Sequence, residues 1–185
     1  MPCGLGVVSA GQHGPELKAR NEESATLKCY NARLRTDPAT RTNDSKMTKD
    51  EEAVLQANEN FYHALQELSL EAMEAVWLPE DWVRCVHPGW EVLEGWESVR
   101  ESWQQIFANT QYMRVVVGIQ AMHVEQSVAW VSCSEKISSA ADGRFDSAFV
   151  QATNIFHRRN GSWLLVLHHA SHRPAPEQGP GEVVQ

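Results

Sequence analysis

The apolar residues of this chain change period once, near residue 110, and that change limits the folds it can adopt. Upstream, "TKDEEAVLQANENFYHALQEL" carries Val54, Phe61, Leu65 and Leu68 as one stripe at helical spacing. Thr48 is placed to cap this helix, and Asp50, Glu51 and Glu52 suit the positive end of its dipole. Ser69 opens a second, shorter helix with Leu70, Met73 and Trp77 inward, and Pro79 closes it. "DWVRCVH" reads as a short strand, whose alternation sets Val83, Cys85 and His87 on one face and Arg84 on the other. Trp96, Val99, Trp103 and Ile106 then return to helical spacing. Downstream, "YMRVVVGIQAMHVE", "SVAWVSCSEKIS", "DSAFVQATNIFHRR" and "SWLLVLHHASH" are β-type runs. Their joints, "EQ", "SAADGR" and "RNG", are short and polar, which favours antiparallel hairpins. Helices first and a meander of strands afterwards predict an α+β domain with the helices on one face of the sheet.

The patterned sequence occupies 47–173. Residues 1–46 lack periodicity and read as a disordered extension, or as sequence upstream of a start at Met47. Residues 174–185, rich in Pro and Gly, read as a flexible tail. Charge is divided in the same way: seven Lys/Arg face five Asp/Glu in 1–46, and nine face nineteen in 47–185. An acidic domain repels phosphate backbones, so no nucleic-acid partner is expected. Nor is a membrane partner, because no apolar run approaches the roughly 18 residues that a span needs. The four cysteines form no CxxC pair, and the opening residues make a poor signal peptide. A cytoplasmic protein is the expectation.

The phrases "NFYHALQELSLEAMEAVW", "HPGWEVLEGWESVRESW" and "FHRRNGSWLLVLHHAS" resemble the SnoaL-like branch of the nuclear transport factor 2-like superfamily. The resemblance spans 50–172. It implies a cone-shaped, cystatin-like roll, with three N-terminal helices packed on a curved antiparallel sheet around an apolar pocket. In the ketosteroid isomerases of this superfamily, an aspartate ahead of a proline is the proton-shuttling base; here that place falls on His87, before Pro88. The tyrosine that donates to the oxyanion falls on Phe61, with Tyr62 next to it. A protonated aspartate on a late strand falls on or near Asn154. The isomerase set is therefore absent as such.

His87 is a sensible base nonetheless, since imidazole titrates near neutral pH. Asn154 offers an amide donor to a developing enolate without any shift of pKa. Against these stand plainer readings: a histidine tied into a turn, and a buried amide joining strands. His168 and His169 are adjacent on a strand and point to opposite faces, one into the pocket and one away from it. For the same reason they do not share a metal, and neither a metal nor another cofactor is expected. Trp90 is expected at the pocket mouth, and Trp103 in the helical core and pocket wall. Cys85 and Cys133 read as small buried apolar residues. Glu135 lies on the inward phase of its strand, either as a second polar pocket group or near the strand end in water.

Two functions fit. One is a small-molecule enzyme of isomerase, cyclase or dehydratase type, with His87 as base. The other is a non-catalytic module that binds a hydrophobic ligand or dimerises, resembling the calcium/calmodulin-dependent kinase association domain. A homodimer through the sheet face is expected under both.

Overall fold

Thr48 and Glu51 close a reciprocal capping box at the start of helix α1 (Lys49–Gln66): the Glu51 amide donates to Thr48 Oγ1 at 3.2 Å, and the Thr48 amide donates to Glu51 Oε2 at 2.7 Å. The computed structural model describes residues 47–175, so the extension expected over 1–46 and all but the first two residues of the expected tail lie outside the described residues. Val54, Phe61 and Leu65 are buried along α1 as their spacing predicts. Leu68 is different. It lies beyond the helix with φ +53°, where the Leu68 amide donates to the Leu65 carbonyl and the Ser69 amide to that of Ala64, which ends α1 in a Schellman motif. Ser69 then caps α2 (Leu70–Val76), and Met73 and Trp77 enter the core.

After β1 (Arg84–Val86) and a two-residue β2 (Leu93–Glu94), α3 runs from Trp96 to Ala108. Four long strands follow: β3 (Tyr112–Glu125), β4 (Val128–Ala141), β5 (Arg144–Arg159) and β6 (Ser162–Arg173). The last two hairpins are tight, with Asp142–Gly143 and Asn160–Gly161 all at positive φ, the twist that two-residue hairpins need. The joint read as "SAADGR" is thus only two residues long, because both flanking strands extend inward over it.

The six strands form one sheet in the order β2-β1-β6-β5-β4-β3. Pairing is antiparallel except between β1 and β6, which run parallel. The sheet is therefore mixed rather than wholly antiparallel. A parallel partner needs a long crossover, which here is supplied by α3 and the three strands that precede β6. Two register shifts, between Ile119 and Ala121 in β3 and between Leu165 and Leu167 opposite Ile155/Phe156, add one residue each. Such bulges bend and twist a strand, and the sheet curves around the helices. Arg158 fixes the start of α1 to β5 through two 3.0 Å bonds to the Asp50 carboxylate.

Candidate functional site

Between helices and sheet, the apolar core is interrupted by Asn58, His87, Ser102, Glu135, Asn154 and His168, all buried. Burying polar groups costs free energy unless they are hydrogen-bonded, and these bond mainly to one another. His87 emerges from the end of β1 on the face predicted for it and is 4% exposed. Its Nε2 lies 2.9 Å from Ser102 Oγ on α3. The single Ser102 proton goes to the Val99 carbonyl at 2.7 Å, so His87 Nε2 donates to Ser102 and Nδ1 keeps the lone pair. Cys85 Sγ sits almost equally far from the two ring nitrogens, at 3.9 and 3.8 Å, and packs on the ring rather than bonding one of them. The side chain is thus anchored to α3; within the turn, it is the His87 backbone carbonyl that accepts, from the Trp90 amide at 2.9 Å.

A second group is built on β4, β5, β6 and α1. Asn154 Nδ2 donates to Asn58 Oδ1 at 2.8 Å and to Tyr62 Oη at 3.3 Å, and its Oδ1 lies 2.7 Å from His168 Nδ1. Tyr62 donates in turn to Glu135 Oε1 at 2.5 Å, and Asn58 Nδ2 approaches Cys133 Sγ at 3.8 Å. Both hydrogens of the Asn154 amide are engaged, so it would have to give one up to serve an enolate. Aromatic rings join the two groups. Trp103 packs edge-on against His87 at 4.4 Å and lies 6.1 Å from His168, while Phe61 touches Trp103 at 5.8 Å and His168 at 4.9 Å. Trp90 stands at the edge, 46% exposed, with its ring 5.0 Å from His87. The Trp103 indole N–H is buried without a hydrogen-bond partner.

Burial sets the charges. It lowers the His87 pKa to about 4. For His168 burial comes first, with repulsion from His87 and His169 behind it, and lowers the pKa to about 3. Both imidazoles are neutral at pH 7. Glu135 is raised to about 7 by burial, against the opposing pull of its bond from Tyr62. Burial also raises Tyr62 and Cys85, and Cys133 to about 12, so the two thiols stay protonated.

The structure brings His87, Asn154, Phe61, Tyr62, Trp103 and His168 to one place, with Trp90 at its border. His169 faces the other way and is exposed. Asn58 and Ser102 are the residues that the sequence reading missed. Each is a polar residue on an apolar helical stripe, Asn58 between Val54 and Phe61 and Ser102 beside Val99 and Trp103, and that interruption was the available signal. An open hollow at the β4–β5 tip, lined by Ser139, Asp142, Arg144 and Phe145, contains none of these residues. Among the described residues no three His, Cys, Asp or Glu are grouped to hold a metal, and no helix is long and apolar enough to cross a membrane.

Residues 54–176 match the SnoaL-like domain. The chain belongs to the SnoaL-like family, within the nuclear transport factor 2-like superfamily. A candidate dehydratase of the nuclear transport factor 2-like family from Streptomyces avermitilis is 34% identical, with a TM-score of 0.64 over 68% of this chain and 97% of that one. A candidate calcium/calmodulin-dependent protein kinase type II association domain from Thiobacillus denitrificans is 30% identical, with a TM-score of 0.58 over 64% of this chain and 93% of that one. The F-box protein SKIP8 of Arabidopsis thaliana is 29% identical over 157 residues, which are 83% of this chain and 65% of that protein. This chain therefore spans less than two thirds of SKIP8. The matched share exceeds residues 47–185, so the similarity continues ahead of Met47.

Proposed function

We propose that this SnoaL-like domain binds a small, largely apolar molecule against Trp103, Phe61 and the two buried imidazoles, and moves a proton on it with His87 as base. The observation that carries this reading is a pair of buried, neutral histidines that both pack on the Trp103 ring, beside Phe61. Burial takes His87 away from the near-neutral titration expected of it. The imidazole is always free to accept a proton but is a weaker base than in water, so abstraction of a proton beside a carbonyl leans on stabilisation of the enolate. The unpartnered Trp103 N–H offers a donor to the oxygen on which charge develops. Isomerisation, cyclisation and loss of water all begin with that step. The likeness to the candidate dehydratase of Streptomyces avermitilis supports the same chemistry. Among the described residues Cys85 and Cys133 are free thiols, which suits a cytoplasmic setting.

The test is a screen of small cyclic ketones and β-hydroxy ketones for exchange of the proton beside the carbonyl with D2O, followed by mass spectrometry. The wild-type chain should accelerate exchange for a subset, and His87→Gln should lower it by at least about 100-fold with its melting transition intact. Equal exchange by wild type and His87→Gln would sink the reading.

A second reading, an assembly module without catalysis, is favoured by the outer face of the sheet. There Val116, Val128 and Trp130 are exposed on β3 and β4. The likeness to the Thiobacillus association domain supports it. Both readings share a homodimer through that face.

A further inference from the structure

We propose that Glu135, acting through Tyr62 and Asn154, positions His168 with its proton on Nδ1 and its lone pair on Nε2, which makes His168 a second base that shares the Trp103 ring with His87. The use of that base rests on the proton-transfer reading above; the positioning rests on geometry alone. Above pH 7 the hydrogen-bond chain has a fixed direction, because it begins at an ionised carboxylate, which only accepts. Tyr62 gives its only proton to Glu135 at 2.5 Å, so toward Asn154 its oxygen accepts. Asn154 must then turn Nδ2 to Tyr62 and to Asn58 Oδ1, which leaves Oδ1 facing His168 at 2.7 Å. An amide oxygen only accepts. His168 Nδ1 therefore carries the hydrogen, and in a ring kept neutral by burial Nε2 is left bare. His87 holds the opposite tautomer, because Ser102 has committed its proton to Val99. One site thus holds two imidazoles that are basic at different ring positions. Glu135 touches neither, and is a positioning residue.

The test is nitrogen-15 NMR of histidine-labelled full-length chain on the alkaline side of pH 7, where Glu135 is ionised, and it reports the ring nitrogen that carries the proton. The wild type should show His168 protonated at Nδ1 and His87 at Nε2. Glu135→Leu removes the acceptor, the phenol proton turns to Asn154, the amide inverts, and His168 passes to the Nε2–H form. Glu135→Gln still presents an oxygen to Tyr62 and keeps the wild-type tautomer. Should Glu135→Leu fail to fold, Tyr62→Phe breaks the same chain and should leave His168 as a mixture of tautomers. A wild-type His168 protonated at Nε2 overturns the inference, as does an unchanged His168 in whichever breaking variant folds. A blank ketone-exchange screen beside the expected tautomers would remove the proton-transfer reading and leave the positioning standing.

Discussion

His87, His168 and Glu135 are all under 5% exposed, and each answers to pH in a direction that burial sets. The histidines take up protons near pH 6.5 when unfolded but only near 4 and 3 when folded. Their contribution to stability is complete above pH 6.5 and is lost as pH falls toward 4. Glu135 is reversed: folded it keeps its proton to about 7, and unfolded it loses it near 4.5. Its contribution is present below 4.5 and is lost as pH rises through 7. Between pH 4.5 and 6.5 two histidines oppose one carboxyl, so the unfolding free energy should climb by about 1.4 kcal/mol per pH unit for the one net proton. It should then dip between 6.5 and 7. Urea titrations across this range measure both limbs. Glu135→Gln should abolish the dip and steepen the climb to about 2.7 kcal/mol per pH unit, and a flat profile from 4.5 to 6.5 would contradict neutral buried histidines. Of these residues, His87 was legible because strand alternation from Val83 needs only three residues to place it. Ser102 and Asn58 were not, since nothing local in a sequence says which polar residue on a helix will meet which partner on a strand.

Among the elements, β6 carries the most consequential irregularity. Counted strictly by twos from Trp163 and Leu165, the inward residues would be Leu167 and His169. Val166 is the extra residue: Leu165 pairs with Phe156 and Leu167 with Ile155, so everything after it changes face. His168 and Ala170 are buried as a result, and His169 is exposed. Alternation told us that the two histidines divide between faces; it could not say how, because a bulge shifts the phase without a marker in residue type. The hairpins were readable from Asp142–Gly143 and Asn160–Gly161, whose residues accept positive φ. Deleting Val166 should test the bulge directly. The Asn160–Gly161 turn pins one end of β6, and the pairings of Arg84, Cys85 and Val86 with Leu167, His168 and His169 pin the other. Without Val166 the strand runs from Leu165 straight to Leu167, with Leu167 still opposite Ile155 and His168 still opposite Asn154, so both sets of pairings survive and His168 stays inward. Expected is a folded variant that keeps the Nδ1–H signal of His168 and loses about 1–3 kcal/mol in urea unfolding for the buried Val166 side chain. Loss of that signal in a folded variant would show that Val166 is not the extra residue and that the bulge does not set the face.

For the domain as a whole, the two faces of the sheet pose different problems. The inner face is covered by α1, α2 and α3. The outer face presents Val116, Val128 and Trp130, with Trp130 still 38% exposed and the His123 ring 6.3 Å from it. β3 is also an edge strand of fourteen residues, a length at which an unpaired edge invites association. Gln120, Ser132 and Gln151 form a polar patch on this face, where the Gln151 amide donates to Gln120 Oε1 at 2.5 Å and to Ser132 Oγ at 3.2 Å. Exposed Val116, Val128 and Trp130 beside these hydrogen-bonding side chains make this the face on which the proposed homodimer is to be tested. The period change in the sequence foretold the sheet, but outward-facing Val and Trp residues read the same in sequence whether they face water or a second copy. Sedimentation velocity of the full chain at micromolar concentration should give a dimer. Trp130→Glu sets two carboxylates against each other across the axis if the rings meet there, and should weaken association by at least about tenfold while leaving the far-ultraviolet circular dichroism unchanged. A wild-type monomer under those conditions would refute the dimer, and a dimer indifferent to Trp130→Glu would move its axis away from β4.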